Sequence, residues 1–508
     1  MGITEPRATG LPPAARPSYL VSRWLFVRLL GVIYFIAFVS LAVQITGLVG
    51  EHGILPARGY LERAHALYGV AAYRLFPTVC WLLGAGDGVL RAVCWSGAVL
   101  ALLVVAGVAQ APALALLWLL YLSASVVGQT FLWFQWDALL LEAGLLAVFY
   151  APTDLVPSLR HERAPSEPMR WLVWWLLFRL MFLSGITKLA SGDPTWRDLT
   201  ALDYHFWTQP LPPWTAWYAH WLPEWTHRAM LLFVLVVELA VPWLIFVPAR
   251  LARVRLAACG MLVLGQLGIA VTGNYGFFNA LALVLCVPLL DDAMLGRVVP
   301  LRLVAGDPEP VWKRRAVGIL APVVVVLSLL AFAREIAQTL PGARGRGVLE
   351  NPLLDAVAPF RSINGYGLFR VMTTERPEIV VEGSRDSVAW REYGFRWKPG
   401  DVTRRPRFVA PHQPRLDWQM WFAALAPDGA RDWLLPFVGR LLQGSPQVVS
   451  LLAENPFPEA PPRYVRLAYY RYRFSTPAAR ARTKAWWERE FVGYLTRPLS
   501  AANLVAPR

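Results

Sequence analysis

Two cations stand nine residues apart in one apolar stretch, WLVWWLLFRLMFLSGITKLA (171–190): Arg179 near its middle and Lys188 near its end. A cation at membrane depth costs ~2.5–3.5 kcal/mol on insertion scales unless it is paired or hydrated. The sequence supplies acids that could pair with them. Asp137 and Glu142 lie in FQWDALLLEAGLLAVFY (134–150), and Glu238 lies in the apolar run 229–248. If 134–151 and 171–190 cross a bilayer as antiparallel helices, depth can be counted at ~1.5 Å per residue. Glu142 and Arg179 then share one layer, and Asp137 approaches Lys188 in a layer nearer the outer face. This charge network has two chemical readings. One is structural ion pairs that fix helix register, as buried pairs often do. The other is an outward-opening polar cavity with Lys188 as a catalytic base at its foot. Burial there would favour the neutral amine, and a close Asp137 would favour the ammonium.

The polar stretch that follows, 191–228, carries Asp193, Asp198, Asp203, His205, His220, Glu224 and His227. No HxH or HxxxH spacing is present, so no metal site is expected and these read as loop residues. Trp196, Trp207, Trp214, Trp217, Trp221 and Trp225 read as an aromatic belt at a membrane interface. A platform that grips apolar client segments or lipid is the sharper alternative. Further along, Asn364, Gly365, Tyr366 and Gly367 read as a turn entering a strand. The stretch APHQPRLDWQMWFAAL (410–425) sets Asp417, Trp418 and Trp421 beside Arg415, either in a domain core or at a seam with the membrane. No nucleotide fingerprint, phosphate loop or serine-nucleophile elbow lies in a fitting context, and no cofactor is expected.

These residues need helices to hold them. The 508-residue chain is 56% hydrophobic and 16% charged, with mean hydropathy +0.42. An ordinary soluble domain is about 25% charged, so the composition is that of a membrane protein. Its net charge of +15 points to loops on the cytoplasmic side and anionic lipid rather than nucleic acid. Four cysteines, Cys80, Cys94, Cys259 and Cys286, lie in or beside apolar runs without metal spacing and read as small core residues. Residues 1–23 form a polar N-terminal tail and no cleavable signal peptide is expected.

At about 20 apolar residues per crossing, roughly nine spans are expected: 24–49, 89–109, 113–131, 134–151, 171–190, 229–248, 255–272, 276–290 and 315–333. The segment 67–84, with Arg74 and Pro77, is placed at the interface or as a re-entrant piece. Arginine and lysine set the orientation. Arg7, Arg16 and Arg23, then Arg160, Arg163 and Arg170, then Arg250 and Arg253, then Arg297, Arg302, Lys313 and Arg314 fall inside. The loop 191–228, with two arginines against four carboxylates, falls outside, as does the C-terminal part. The fold class is therefore mainly α. A polytopic helix bundle (24–333) is followed by a linker (334–355) and an extracytoplasmic mixed domain (356–508) with a β-sandwich-like core. Within that domain 366–372, 378–384, 390–397 and 464–475 read as strands. Residues 430–443, 446–454 and 477–495, the last with Trp486 and Trp487, read as helices.

Several long motifs together resemble the lipase maturation factor family. They are FQWDALLLEAGLLAVFYAP (134–152), RLMFLSGITKLASGDPTWRDLTALDYHFWTQPLP (179–212), FFNALALVLCVPLLDD (277–292), NGYGLFRVMTTERPEIVVEGSRDSVAWREYGFRWKPGD (364–401) and APHQPRLDWQMWFAAL. The resemblance implies a multi-pass membrane protein, in animals of the endoplasmic reticulum, that helps dimeric lipases reach their active fold. It also implies an outward C-terminal domain that contacts clients, including Asn364–Gly367, Trp397, Asp417 and Trp418. Its partners would be membrane lipids and exported proteins, lipases among them, with no catalysis of its own required. Arg- and Ala-rich composition suggests a bacterial chain, hence an inner membrane. A shorter similarity, SGITKL (184–189), resembles the segment of vitamin K-dependent glutamyl carboxylase that holds its lysine base. It implies the alternative: a membrane-embedded carboxylase-like enzyme, or a lipid- or quinone-binding protein, using Lys188 in an outward-facing cavity.

Overall fold

The computed structural model describes residues 17–156, 161–340 and 350–505. Arg7, Arg16, Arg160 and residues 341–349 of the expected linker lie outside the described residues. The helices of the bundle are α1 (Leu20–Ala42), α2 (Asp87–Ala106), α3 (Gln110–Val127), α4 (Gln135–Tyr150), α5 (Glu167–Ala190), α6 (Glu224–Leu239), α7 (Ala252–Thr272), α8 (Phe278–Cys286) and α9 (Val311–Thr339). Their ends follow local chemistry. Helix α5 starts with Glu167 and Pro168, suited to a first turn by charge and by fixed φ. Helix α2 stops where Gly107 takes a left-handed conformation, φ 90°. Close crossings use glycine: a Cβ on Gly97 of α2 would sit 2.5 Å from the Phe38 ring of α1.

Among the described residues, seven segments are long and apolar enough to cross a membrane, against the nine expected. The two that fall short are α4, of 16 residues, and the apolar helix Phe278–Leu289. At 1.5 Å per residue α4 reaches only about 24 Å, less than the roughly 30 Å hydrocarbon core. Most of its residues are buried by protein, including Asp137, Leu140, Glu142 and Ala147. An inner helix covered on all sides need not match the bilayer. Residues 67–84 fold as short helical pieces, Gly69–Ala71, Ala72–Leu75 and Cys80–Leu83, after a helix that ends at Tyr68, with Val70 and Leu82 exposed.

One end of the bundle gathers its basic connections. Arg23 pairs with Glu162 at 2.6 Å and with Glu309 at 3.3 Å, and Lys313 pairs with Glu309 at 3.0 Å. The opposite end carries residues 191–223 and the whole C-terminal part.

That part holds one four-stranded antiparallel sheet, in the order β2-β1-β3-β4, rather than two packed sheets. Its strands are β1 (Arg376–Ser384), β2 (Arg391–Glu392), β3 (Tyr464–Phe474) and β4 (Trp487–Tyr494). In the central pair Val380 faces Ala468 and Val381 faces Leu467. Helices α10 (Arg415–Leu425) and α11 (Arg431–Leu442) cover it, burying Met420, Phe437 and Leu441 against Ile379, Val381 and Leu467. The expected strand 366–372 is absent, because Gly365 and Gly367 press against Glu335 of α9, where a Cβ would approach within 2.5–2.6 Å. The expected helix 477–495 is a short helix, Pro477–Thr483, followed by β4. WEREFVGY has the length of a strand and pairs along β3, which would otherwise present an open edge. The helix expected over 446–454 ends at Val449.

The C-terminal part is welded to the bundle rather than hung from it. One continuous apolar core joins Tyr366, Val409 and Trp418 to residues of α1, α4, α5 and α8. Asn274 sits at the joint. Its amide donates to the carbonyls of Leu211 and Arg407, both at 2.9 Å, and its oxygen accepts from the N–H groups of Val409 and Ala410.

Candidate functional site

Two buried charge clusters hold the seam, and a third ties α5 to α6 beside it. In the deepest, Arg179 of α5 donates to Glu142 of α4, both about 1% exposed. The other Glu142 oxygen accepts from the Asn364 N–H at 3.2 Å, the Asn364 amide at 3.1 Å and the Tyr366 hydroxyl at 2.8 Å. Arg179 also donates to the Asn364 carbonyl at 3.0 Å. The Asn364–Gly367 turn is thus an insertion from the C-terminal part that completes an intramembrane ion pair.

Asp137 does not reach Lys188, contrary to the depth argument. It is held by Arg415 of α10 through two hydrogen bonds, 2.6 and 2.8 Å, and by the Tyr121 hydroxyl at 2.5 Å. Arg415 also donates to the Phe131 carbonyl at 2.9 Å. Planar, bidentate geometry of this kind suits arginine. Lys188 instead meets Glu238 of α6. Its ammonium donates to both Glu238 oxygens, at 2.9 and 2.8 Å, and to the Ser184 carbonyl at 3.0 Å. Helices α5 and α6 come close enough because of Gly185, whose Cβ would lie 2.9 Å from that of Glu238. Three acceptors use the three hydrogens of an ammonium. Lys188 therefore has no hydrogen left to donate to a substrate while these three contacts hold.

The outer-loop residues divide. Trp196 is buried, with Lys188 Nζ 5.3 Å from its ring centroid. Asp203 Oδ1 lies within hydrogen-bond distance of His227 Nδ1, at 2.7 Å, and the Asp203 carbonyl accepts from the Trp207 indole at 3.0 Å. Trp217 is buried and donates to the Ser475 carbonyl at 3.0 Å. His205 lies 3.2 Å from the Tyr275 hydroxyl. Burial, and secondarily Lys188, push the His205 pKa down to about 4, and burial does the same for His220. Only Trp221 and Trp225 of the expected belt are exposed. Arg376 of β1 ties this loop down by donating to the carbonyls of Trp207, Gln209 and Pro210. Asp417 accepts from the N–H groups of Trp397 and Lys398 at 2.8 and 2.9 Å, and burial raises its pKa. Trp418 packs edge-on to Trp136 at 4.8 Å. No group of three His, Cys, Asp or Glu side chains among the described residues is placed to hold a metal ion.

Sequence reasoning missed Arg376 altogether, and it left the 410–425 stretch between a domain core and a seam without pairing Arg415 to Asp137. The available signal was arithmetic: two acids in one short apolar helix require two cations, and 171–190 supplies one at the right depth.

Between these clusters lies a cavity of about 440 Å³. Lys188, Glu238, Met181 and Phe278 line its base, and Trp133, Val371 and Phe422 line its exposed side. The arrangement suits an apolar guest more than a reaction: the charges are spent on one another.

Comparisons place the chain among known proteins. The Lipase maturation factor transmembrane domain matches residues 21–297, and the Lipase maturation factor C-terminal domain matches residues 362–497. Lipase maturation factor 2 of Rattus norvegicus is 37% identical, over 93% of this chain and 82% of its own length. Lipase maturation factor 2 of Gallus gallus is 37% identical, over 94% and 81%. Lipase maturation factor 1 of Bos taurus is 35% identical, over 96% and 90%. No solved structure matches. A multi-pass bundle of this order, joined through its seam to a sheet-bearing C-terminal part and related over nearly its full length to these proteins, is a member of the lipase maturation factor family.

Proposed function

We propose that this chain is a membrane-anchored maturation factor for exported proteins, with lipases among its clients. The relationship over more than nine-tenths of the chain to proteins named lipase maturation factors carries this reading. The basic end, with Arg23, Arg163 and Lys313, faces the cytoplasm of a bacterial inner membrane. The sheet end then faces outward, where exported chains fold. The client contact is the free edge of β4. This strand ends the sheet order and presents Phe491, Val492 and Tyr494 to solvent. An open strand edge with exposed apolar side chains suits an extended, unfinished client segment that adds as a further strand. Catalysis by the chain itself is not needed, and the fully engaged Lys188 weighs against it.

The test is deletion of the protein in its own cell, with the specific activity of exported lipase measured per unit of secreted protein. Specific activity falls while transcript stays constant. Full specific activity in the deletion strain rejects the proposal. A Val492→Pro variant, which blocks strand addition without a buried change, is expected to reproduce the loss.

A further inference from the structure

Arg361 is the unusual cation of this fold. Its guanidinium lies 4.8 Å from the centroid of the Trp133 ring, and it has no hydrogen bond or ion pair to any described side chain. Its Nη1 is buried without a partner. Asp137 and Arg415 both act on it electrostatically, and burial disfavours its charge. Asp137 makes no hydrogen bond to it; its three bonds come from Arg415 and Tyr121. The cluster of Asp137, Arg415 and Arg361 therefore carries one uncompensated positive charge. A partly buried, unpaired cation is costly, and an anion beside it removes the cost.

Trp133 connects this cation to the cavity. The indole is 75% exposed and lines the cavity's outer side with Val371, which is 64% exposed, and Phe422. Phe360, next to Arg361 in sequence, is also exposed and stacks on Trp118 of α3, a membrane-crossing helix. The rim is thus greasy, beside lipid, and flanked by a free cation. Inward, Leu180, Met181, Ile269 and Phe278 line the walls. The Lys188–Glu238 pair at the base is internally neutralised, so it has no unspent charge to hold a charged head. An amphiphile would enter tail first and leave its head at the rim.

We propose that the cavity takes one acyl chain of a glycerophospholipid whose phosphate rests against Arg361 over Trp133. The recognised chemistry is a phosphate monoanion joined to a long apolar chain. This goes beyond the maturation reading and is independent of it, because a lipid site can be present whether or not lipases are clients.

The experiment uses the full chain purified in detergent and titrated with tritiated dioleoylphosphatidylglycerol, tritiated dioleoylglycerol and inorganic phosphate. Saturable binding of the phosphatidylglycerol is expected, with dioleoylglycerol weaker and inorganic phosphate unable to displace it at equal concentration. Arg361→Gln is expected to weaken phosphatidylglycerol tenfold or more, as the loss of a charged hydrogen bond implies, and to leave dioleoylglycerol unchanged. Ile269→Trp, which fills the cavity, is expected to abolish both. Should Ile269→Trp fail to fold, Val371→Asp is substituted: it lies on the exposed rim and brings a like charge to the phosphate, again with a tenfold loss. Equal binding of phosphatidylglycerol by wild type and Arg361→Gln overturns the proposal. So does displacement by inorganic phosphate, which would make the site one for the free ion, or binding that survives both Ile269→Trp and Val371→Asp.

Discussion

Replacing Arg415 by methionine tests how the two parts of the chain are joined. The substitution keeps length and apolar volume and removes the guanidinium. Asp137, fully buried, is left with one hydrogen bond, from Tyr121. Removing one partner of a buried pair costs about 3–5 kcal/mol, since the remaining charge loses its hydrogen-bonded partner with no water in exchange, and Arg361 acts on Asp137 only through space. The partner substitution Asp137→Leu costs a similar amount by stranding Arg415. The double variant Asp137→Leu/Arg415→Met strands neither charge, so its loss is expected to be about 1–2 kcal/mol, not the sum of the single losses. The coupling energy is then at least ~4 kcal/mol. The assay is reversible unfolding in mixed micelles, with limited proteolysis after Thr339 to report release of the C-terminal part. If the single losses add to the double loss within about 0.5 kcal/mol, the two groups act independently and the weld described here is refuted.

Lys188→Met should likewise destabilise by leaving Glu238 unpaired, and Lys188→Met/Glu238→Leu should restore both stability and lipase yield. A stable double variant that still fails in maturation would return Lys188 to an active role. Gly185→Val should cost ~1–3 kcal/mol by forcing α5 from α6, read as a lower thermal midpoint; no change would mean that the close crossing is unimportant. Burial holds the pKa values of His205, His220 and His412 at about 4, against 6.5 for a free imidazole. The unfolded chain then binds protons below pH 6.5 that the folded chain refuses. Stability is full above pH 6.5 and falls as pH drops toward 4. The thermal midpoint should decline over that window, and less steeply in His412→Asn; identical slopes would refute the assignment for His412. Trp217→Phe removes the bond to Ser475 and should cost about 1 kcal/mol, detectable as faster cleavage at the Pro477–Thr483 helix.

Depth counting along helices paired Glu142 with Arg179 because both lie on regular segments whose rise per residue is fixed. It paired Asp137 with the wrong cation because Arg415 comes from a helix nearly 280 residues later, and no periodicity reports such a distance. Helix α11 and strands β1 and β3 were legible from their apolar patterns, whereas 410–425 was legible only as an aromatic stretch and not as helix α10. Strand β4 was not, since Trp486, Trp487 and the charged ERE tripeptide suit either element, and only the open edge of β3 decides. The turn Asn364–Gly367 was legible as a turn. That it would enter the bundle to finish an ion pair was not, because nothing local marks Glu335 and Glu142 as its neighbours.

The seam also has a consequence in time. Asp137 and Glu142 enter the translocation machinery well before Tyr366 and Arg415 have been synthesised. Until those residues arrive, the early helices hold acids without their final counterparts. A ribosome-bound or prematurely ended chain should therefore be a preferred target of membrane proteolysis, and release of the finished protein becomes the step at which its own quality is decided.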